Sequence, residues 1–310
     1  MARVRVGTAS WTDRSLVESG SYYPHWAKTA EDRLRFYASE FPVVEVDSSY
    51  YGLPSERNSA LWVERTPSDF VFNFKAFRLF TGHPTPPSAF PKDLRQELPQ
   101  AVLDKRNLYY SETPSAVRAE LWKMFESALL PLDSAGKLGV VVFQFPPWFM
   151  PNSISRNHIL ECKEHLPQYR IAVEFRNAYW LSDRNRDSTF AFLRSNGLSF
   201  VAVDEPQGFK TSVPPVAEVT GEFAIVRFHG RNRETWEKRG LASSSERFNY
   251  YYSEEEVREW IPRVQRMRDE ASEVHLVMNT NYQDQGIANA RLMARLLGEG
   301  TTQPADNSDV

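Results

Sequence analysis

Apolar residues along this chain fall into short β-rich runs at 4–8, 43–47, 70–76, 139–145, 171–175, 200–204, 223–228 and 274–278. Between most of them the spacing changes to that of a helix, as in Leu121, Trp122, Phe125, Ala128 and Leu129, or Val257, Trp260, Ile261, Val264 and Met267. Helix starts are marked as well. Ser253-Glu254-Glu255-Glu256 has the pattern of a capping box, and Thr29 before Ala30-Glu31-Asp32 is placed to cap the first helix.

Strands alternating with helices pair in parallel, and eight such units predict an α/β fold, a single (β/α)8 TIM-type barrel spanning residues 1–300. The polar segment 301–310 reads as a frayed tail. An open doubly wound sheet is the alternative. No strand is followed by a G-x-G-x-x-G or phosphate-loop lysine motif, so no nucleotide cofactor is expected. Two units depart from the ideal. A long Pro-rich insert at 80–115 follows the third strand and is a candidate lid, while Pro and Gly between Asp204 and Phe223 leave little room for a helix in the sixth crossover.

Side chains alternate along a barrel strand, one set facing the helices and the other the interior. Val44 and Val46 oppose Glu45 and Asp47; Phe72 and Phe74 oppose Asn73 and Lys75; Val173 and Phe175 oppose Glu174 and Arg176. By the same parity Gln144 opposes Phe143, Asp204 opposes Val203, and Arg227 and His229 oppose Phe228. The polar set therefore faces inward near the C-terminal strand ends, where barrel active sites are built. With Asn279 from the last strand, it gives Glu45, Asp47, Lys75, Gln144, Glu174, Arg176, Asp204, Arg227 and His229 as candidate site residues. A mutually satisfied ion-pair network that merely fills the barrel is the competing structural reading.

Composition adds exclusions. A formal charge of −3 gives no global attraction to nucleic acid or to an anionic membrane. The single cysteine, Cys162, rules out an intrachain disulfide and reads as a helix-surface residue. No run approaches the roughly 18 consecutive apolar residues of a membrane span, and no signal-peptide core opens the chain. A cytoplasmic protein is expected.

Several segments together resemble the YecE-like family, the domain-of-unknown-function family numbered seventy-two. They are Val6-Gly7-Thr8-Ala9-Ser10-Trp11, Glu45-Val46-Asp47-Ser48-Ser49-Tyr50-Tyr51, Phe143-Gln144-Phe145-Pro146-Pro147, Val173-Glu174-Phe175-Arg176, Trp180, and Val226-Arg227-Phe228-His229-Gly230. The resemblance covers residues 4–297 and implies a TIM-type barrel without implying a reaction. It also points to Asn279, with Asn281 a lesser candidate, and to His83, although this chain reads Thr81-Gly82-His83 where the family often has Thr and His adjacent.

The expected function is an enzyme of hydrolase or isomerase type acting on a polar, anionic substrate. Lys75, Arg176 and Arg227 would clamp phosphate or carboxylate, Glu174 and His229 would lead the acid-base chemistry, with Glu45 and Asp204 as further carboxylates, and Tyr50 and Trp180 would stack on the ligand. A divalent metal is conceivable at Glu174, Asp204 and His229, whereas a glycosidase would need two suitably spaced carboxyls and a serine hydrolase lacks its G-x-S-x-G elbow. The alternative is a binding module for nucleic acid or a small ligand at the same cationic mouth, with Arg231, Arg233, Lys238 and Arg239 available for phosphates.

Overall fold

In a computed structural model, which describes residues 2–241 and 245–298, all eight expected runs are strands. They are β1 (Arg3–Thr8), β2 (Val43–Val46), β3 (Val71–Lys75), β4 (Leu138–Gln144), β5 (Ile171–Glu174), β6 (Ser199–Asp204), β7 (Phe223–Phe228) and β8 (Glu273–Met278). Each pairs in parallel with the next, and β8 returns to β1. The result is a closed (β/α)8 barrel of the TIM type.

The helices, in chain order, are α1 (Arg14–Ser19), α2 (Ala30–Glu40), α3 (Glu56–Glu64), α4 (Lys92–Gln96), α5 (Gln100–Leu103), α6 (Ser115–Ser134), α7 (Ser153–Glu164), α8 (Arg186–Ser195), α9 (Glu254–Arg258), α10 (Ile261–Glu270) and α11 (Gln285–Leu297). Both expected caps form, each as a capping box. Thr29 caps α2, since the short α1 precedes it, and Ser253 caps α9. The stripe Val117, Leu121, Trp122, Phe125, Ala128, Leu129 and Leu132 is the buried face of α6. Residues 205–222 cross from β6 to β7 without a helix. Among the described residues no helix is long and apolar enough to cross a membrane. The tail at 301–310 lies outside the described residues.

Two expectations fail on packing grounds. The insert at 80–115 is a flank rather than a lid: Phe90, Leu94, Leu98 and Leu108 are buried, Phe80 stacks on Trp122 of α6 at 3.6 Å, and Tyr110 donates to Glu161 of α7. Burying that apolar set holds the segment against the barrel's side. Cys162 is buried, because it shares the inward stripe of α7 with Ser155 and Ile159, and burial pushes its thiol well above the ordinary range.

Gly7 shows how tightly the interior closes. A Cβ there would sit 1.9 Å from the Val43 carbonyl oxygen, so only glycine lets β1 and β2 approach.

Candidate functional site at the barrel mouth

Partners in parallel register share a face, which fixes the interior. Glu45 pairs with Asn73, Gln144 with Glu174, and Arg227 with Val203 on one side and Val277 on the other. Arg227 is fully buried at the centre. Its Nη2 donates to Glu45 Oε1 at 2.6 Å, its Nη1 to Glu174 Oε2 at 2.5 Å, and Gln144 Oε1 lies 3.4 Å from Nη1. A buried guanidinium needs such partners, since removing an ion from water costs several kcal/mol before compensation.

The other oxygen of Glu174 accepts from Arg176 Nε at 2.6 Å and faces His229 Nε2 at 3.1 Å. Burial alone would raise the Glu174 pKa, but Arg227, Arg176 and His229 together hold its carboxyl well below the usual range. Glu45 goes the other way. Burial, aided by Asp47 and Glu174, outweighs Arg227 and Lys75 and raises its pKa, and its Oε2 has no hydrogen-bond partner among the described residues.

His229 is neutral: burial first, then Arg176, depresses its pKa to about 3. Asn281 Nδ2 donates to Asn279 Oδ1, which turns Asn279 Nδ2 toward His229 Nδ1 at 2.8 Å. Nδ1 therefore accepts, and the ring proton sits on Nε2, directed at Glu174.

Above this layer the barrel opens. Arg176 Nη1 donates to Glu205 Oε2 at 3.0 Å, and its guanidinium lies 5.2 Å from the Trp236 ring. Lys75 Nζ donates to Asp47 Oδ1 at 2.6 Å and sits 4.6 Å from the Tyr50 ring. His83 is held by Thr81 Oγ1 at 2.8 Å beside Tyr50, and burial followed by Lys75 lowers its pKa to about 3. A cavity of about 600 Å³ is lined by Asp47, Tyr50, Lys75, Gln144, Arg176 and Asn279 of the expected set. A second of about 540 Å³ adjoins it past the shared residues Gln144, Arg176, Arg247 and Phe248, and includes His83, Trp236, Lys238 and Arg239.

Glu45, Glu174, Arg227 and His229 join the expected cluster but lie beneath the mouth, fully or almost fully buried. Asp204 does not join it. It pairs in register with Phe228, faces the helices, and accepts from Arg231, Tyr252 and Trp260. The inward position at that strand end belongs to Glu205, in phase with Val201 and Val203. Trp180 is fully buried, stacked on Phe175 at 4.1 Å with its Nε1 donating to the Phe149 carbonyl, so it packs rather than stacks on a ligand. With Asp204 turned away, Glu174, Asp204 and His229 do not converge on a metal position, and no group of three or more His, Cys, Asp or Glu among the described residues is arranged to hold one.

The roof of the mouth was not readable from periodicity. Trp236, Arg247 and Phe248 come from the long connection between β7 and α9. Of the basic residues on that connection, Arg231 is bound to Asp204 and Glu259, Arg233 donates to the Gln207 carbonyl, and Lys238 and Arg239 line the cavity. Its length, with Gly240 among charged residues, is the one sequence signal.

The model of a protein family described as "protein of unknown function DUF72" matches residues 5–309. The chain belongs to the DUF72 family. It is similar to the UPF0759 protein YunF of Bacillus subtilis (strain 168), with 31% identity over 298 residues, covering 95% of this chain and 94% of that protein. Two solved DUF72 family structures resemble it: one from Enterococcus faecalis V583, at 26% identity and TM-score 0.73 over 96% of this chain and 98% of the other, and one from Thermotoga maritima MSB8, at 27% identity and TM-score 0.73 over 96% and 100%. These DUF72 structures share the barrel fold, in agreement with the resemblance noted in the sequence.

Proposed function

We propose that this protein is an enzyme of hydrolase or isomerase type whose mouth binds a small phosphate- or carboxylate-bearing substrate. The observation that carries this reading is Arg247. It shares both cavities with Arg176; among the described residues its Nε has no hydrogen-bond partner, its Nη2 donates only to the Lys238 carbonyl, and burial and Arg176 both lower its pKa with no carboxylate opposing them. A cation left uncompensated beside a second guanidinium favours an anionic ligand.

In this reading Arg176 and Arg247 hold the anion, and Asp47, paired with Lys75 at the cavity wall, handles the proton. Glu174 accepts from Arg176 and positions it from below, His229 donates to the same carboxylate, and Arg227 and Glu45 complete that support. A binding module without turnover is the second reading, favoured by the complete burial of Glu174 and His229.

The test compares melting temperatures in phosphate and in chloride at matched ionic strength. Phosphate should raise the melting temperature of the wild type, and Arg247→Ala should lose most of that rise. No rise in the wild type overturns the anion reading. Screening phosphate esters, carboxyl esters and aldose-ketose pairs then separates the two readings: turnover lost in Asp47→Asn with binding kept supports the enzyme, and binding without turnover supports the module.

A further inference from the structure

The two cavities at the mouth differ in charge. In the first, the carboxylates of Asp13 and Asp47 stand among the amides of Gln144, Asn279 and Asn281, and its one additional unshared cation, Lys75, is already paired with Asp47. A phosphate is less favoured there than in the second cavity, whereas carboxylates and amides accept from and donate to hydroxyl groups, and the Tyr50 ring offers a flat apolar face. In the second cavity Lys238 and Arg239 face a single acid, Glu237, whose carboxylate accepts from Thr211 Oγ1 at 2.8 Å, and His83 carries no charge there. Arg176 and Arg247 stand between the two.

Such a polarised cleft fits a ligand polarised in the same direction. We propose that the mouth binds a polyhydroxylated small molecule bearing a terminal phosphate, a sugar or polyol phosphate. Its hydroxyls meet Asp13, Asp47 and the amides, its phosphate meets Lys238 and Arg239, and Arg176 and Arg247 grip the phosphate from the junction. At about 600 and 540 Å³ each compartment is within the range that holds a small ligand, and a phosphate ion alone leaves most of the space to water. This inference rests on the anion-site reading above and adds the identity of the uncharged end.

Calorimetric titration of the full chain tests it with ribose 5-phosphate, glucose 6-phosphate and glycerol 3-phosphate, each against its unphosphorylated parent and against inorganic phosphate. At least one phosphorylated compound should bind about tenfold or more tightly than both its parent and phosphate, the weight of one charge-assisted hydrogen bond. Arg239→Ala with Lys238→Ala should weaken that compound and inorganic phosphate by similar factors. Asp13→Asn should weaken the phosphorylated compound by about tenfold and leave phosphate at least as tight. Asparagine caps a helix as well as aspartate does, so α1 keeps its start in that variant. If phosphate binds through Arg247 and no sugar or polyol phosphate exceeds it, this inference fails and the anion site stands. If none of the phosphorylated species binds, both fail.

Discussion

Arg176 Nη1 donates to Glu205 Oε2 at 3.0 Å while Arg176 Nε donates to Glu174, so one guanidinium at the cavity wall is shared between two buried carboxyls of opposite character. Glu174 is held well below the usual range; Glu205 is pushed up to about 8, because burial, Glu174 and Asp204 outweigh Arg176 and the Val213 amide. Between 4.5 and about 8 the folded protein therefore keeps a proton on Glu205 that the unfolded chain has lost. That makes this group's contribution to stability fall as pH rises through the same window. Glu205→Gln cannot ionise. Urea unfolding at about pH 5 and about pH 8 should show the wild type losing more stability than this variant across the interval, and parallel behaviour would contradict the assignment.

His229 contributes the opposite slope. With a folded pKa near 3 against an ordinary 6.5, it stays neutral while the unfolded chain takes up a proton, so stability is lost as pH falls through that range. Nitrogen-15 spectra of the imidazole at about pH 6 should show one protonated nitrogen, Nε2, and an accepting Nδ1. A doubly protonated ring would mean that Asn279 and Glu174 hold it differently.

Replacing Arg227 by methionine leaves two buried carboxylates, Glu45 and Glu174, without their shared donor. Breaking a buried pair by deleting one partner costs about 3–5 kcal/mol, and here two pairs break. Chemical denaturation should report a loss of at least that size, and a loss below about 1 kcal/mol would show that the centre of the barrel relaxes around the missing charge.

Asp204→Ala should loosen the roof without touching the cavity. Asp204 receives Arg231 Nε at 2.9 Å, Tyr252 Oη at 2.8 Å and Trp260 Nε1 at 2.6 Å, and Tyr252 Oη in turn accepts from the Gly230 amide. Both ends of the 230–252 connection are thus tied to one carboxylate. Trypsin should cleave the variant faster than the wild type at Arg233, Lys238 or Arg239, and stability should fall by about 3–5 kcal/mol. Unchanged cleavage would show that the connection is held by its packing instead.

How much of this is legible in the sequence depends on contrast between the two faces of each strand. Glu45 beside Val44 and Val46, Glu174 and Arg176 beside Val173 and Phe175, and Arg227 and His229 around Phe228 announce their inward direction, and the structure directs them inward. In β6, Phe200, Val201, Ala202 and Val203 are apolar on both faces, so the alternation has no sign and Asp204 is assigned to the wrong side. Only the register to Arg227 and Phe228 settles it, and the sequence does not contain a register. Likewise Arg247, Phe248 and Trp236 lie outside any strand or α-helix, where no period of two or of 3.6 exists to read.

The clamp on Asp204 has a consequence for how such a protein can change. The roof enters and leaves the barrel through Gly230, Arg231 and Tyr252, all fixed on the helix side, while the cavity-lining Lys238, Arg239, Arg247 and Phe248 lie between those anchors. Exchanging Lys238 and Arg239 can therefore change the charge of the mouth while the anchors keep the entry and exit points and the Arg227 ion pairs stay as they are.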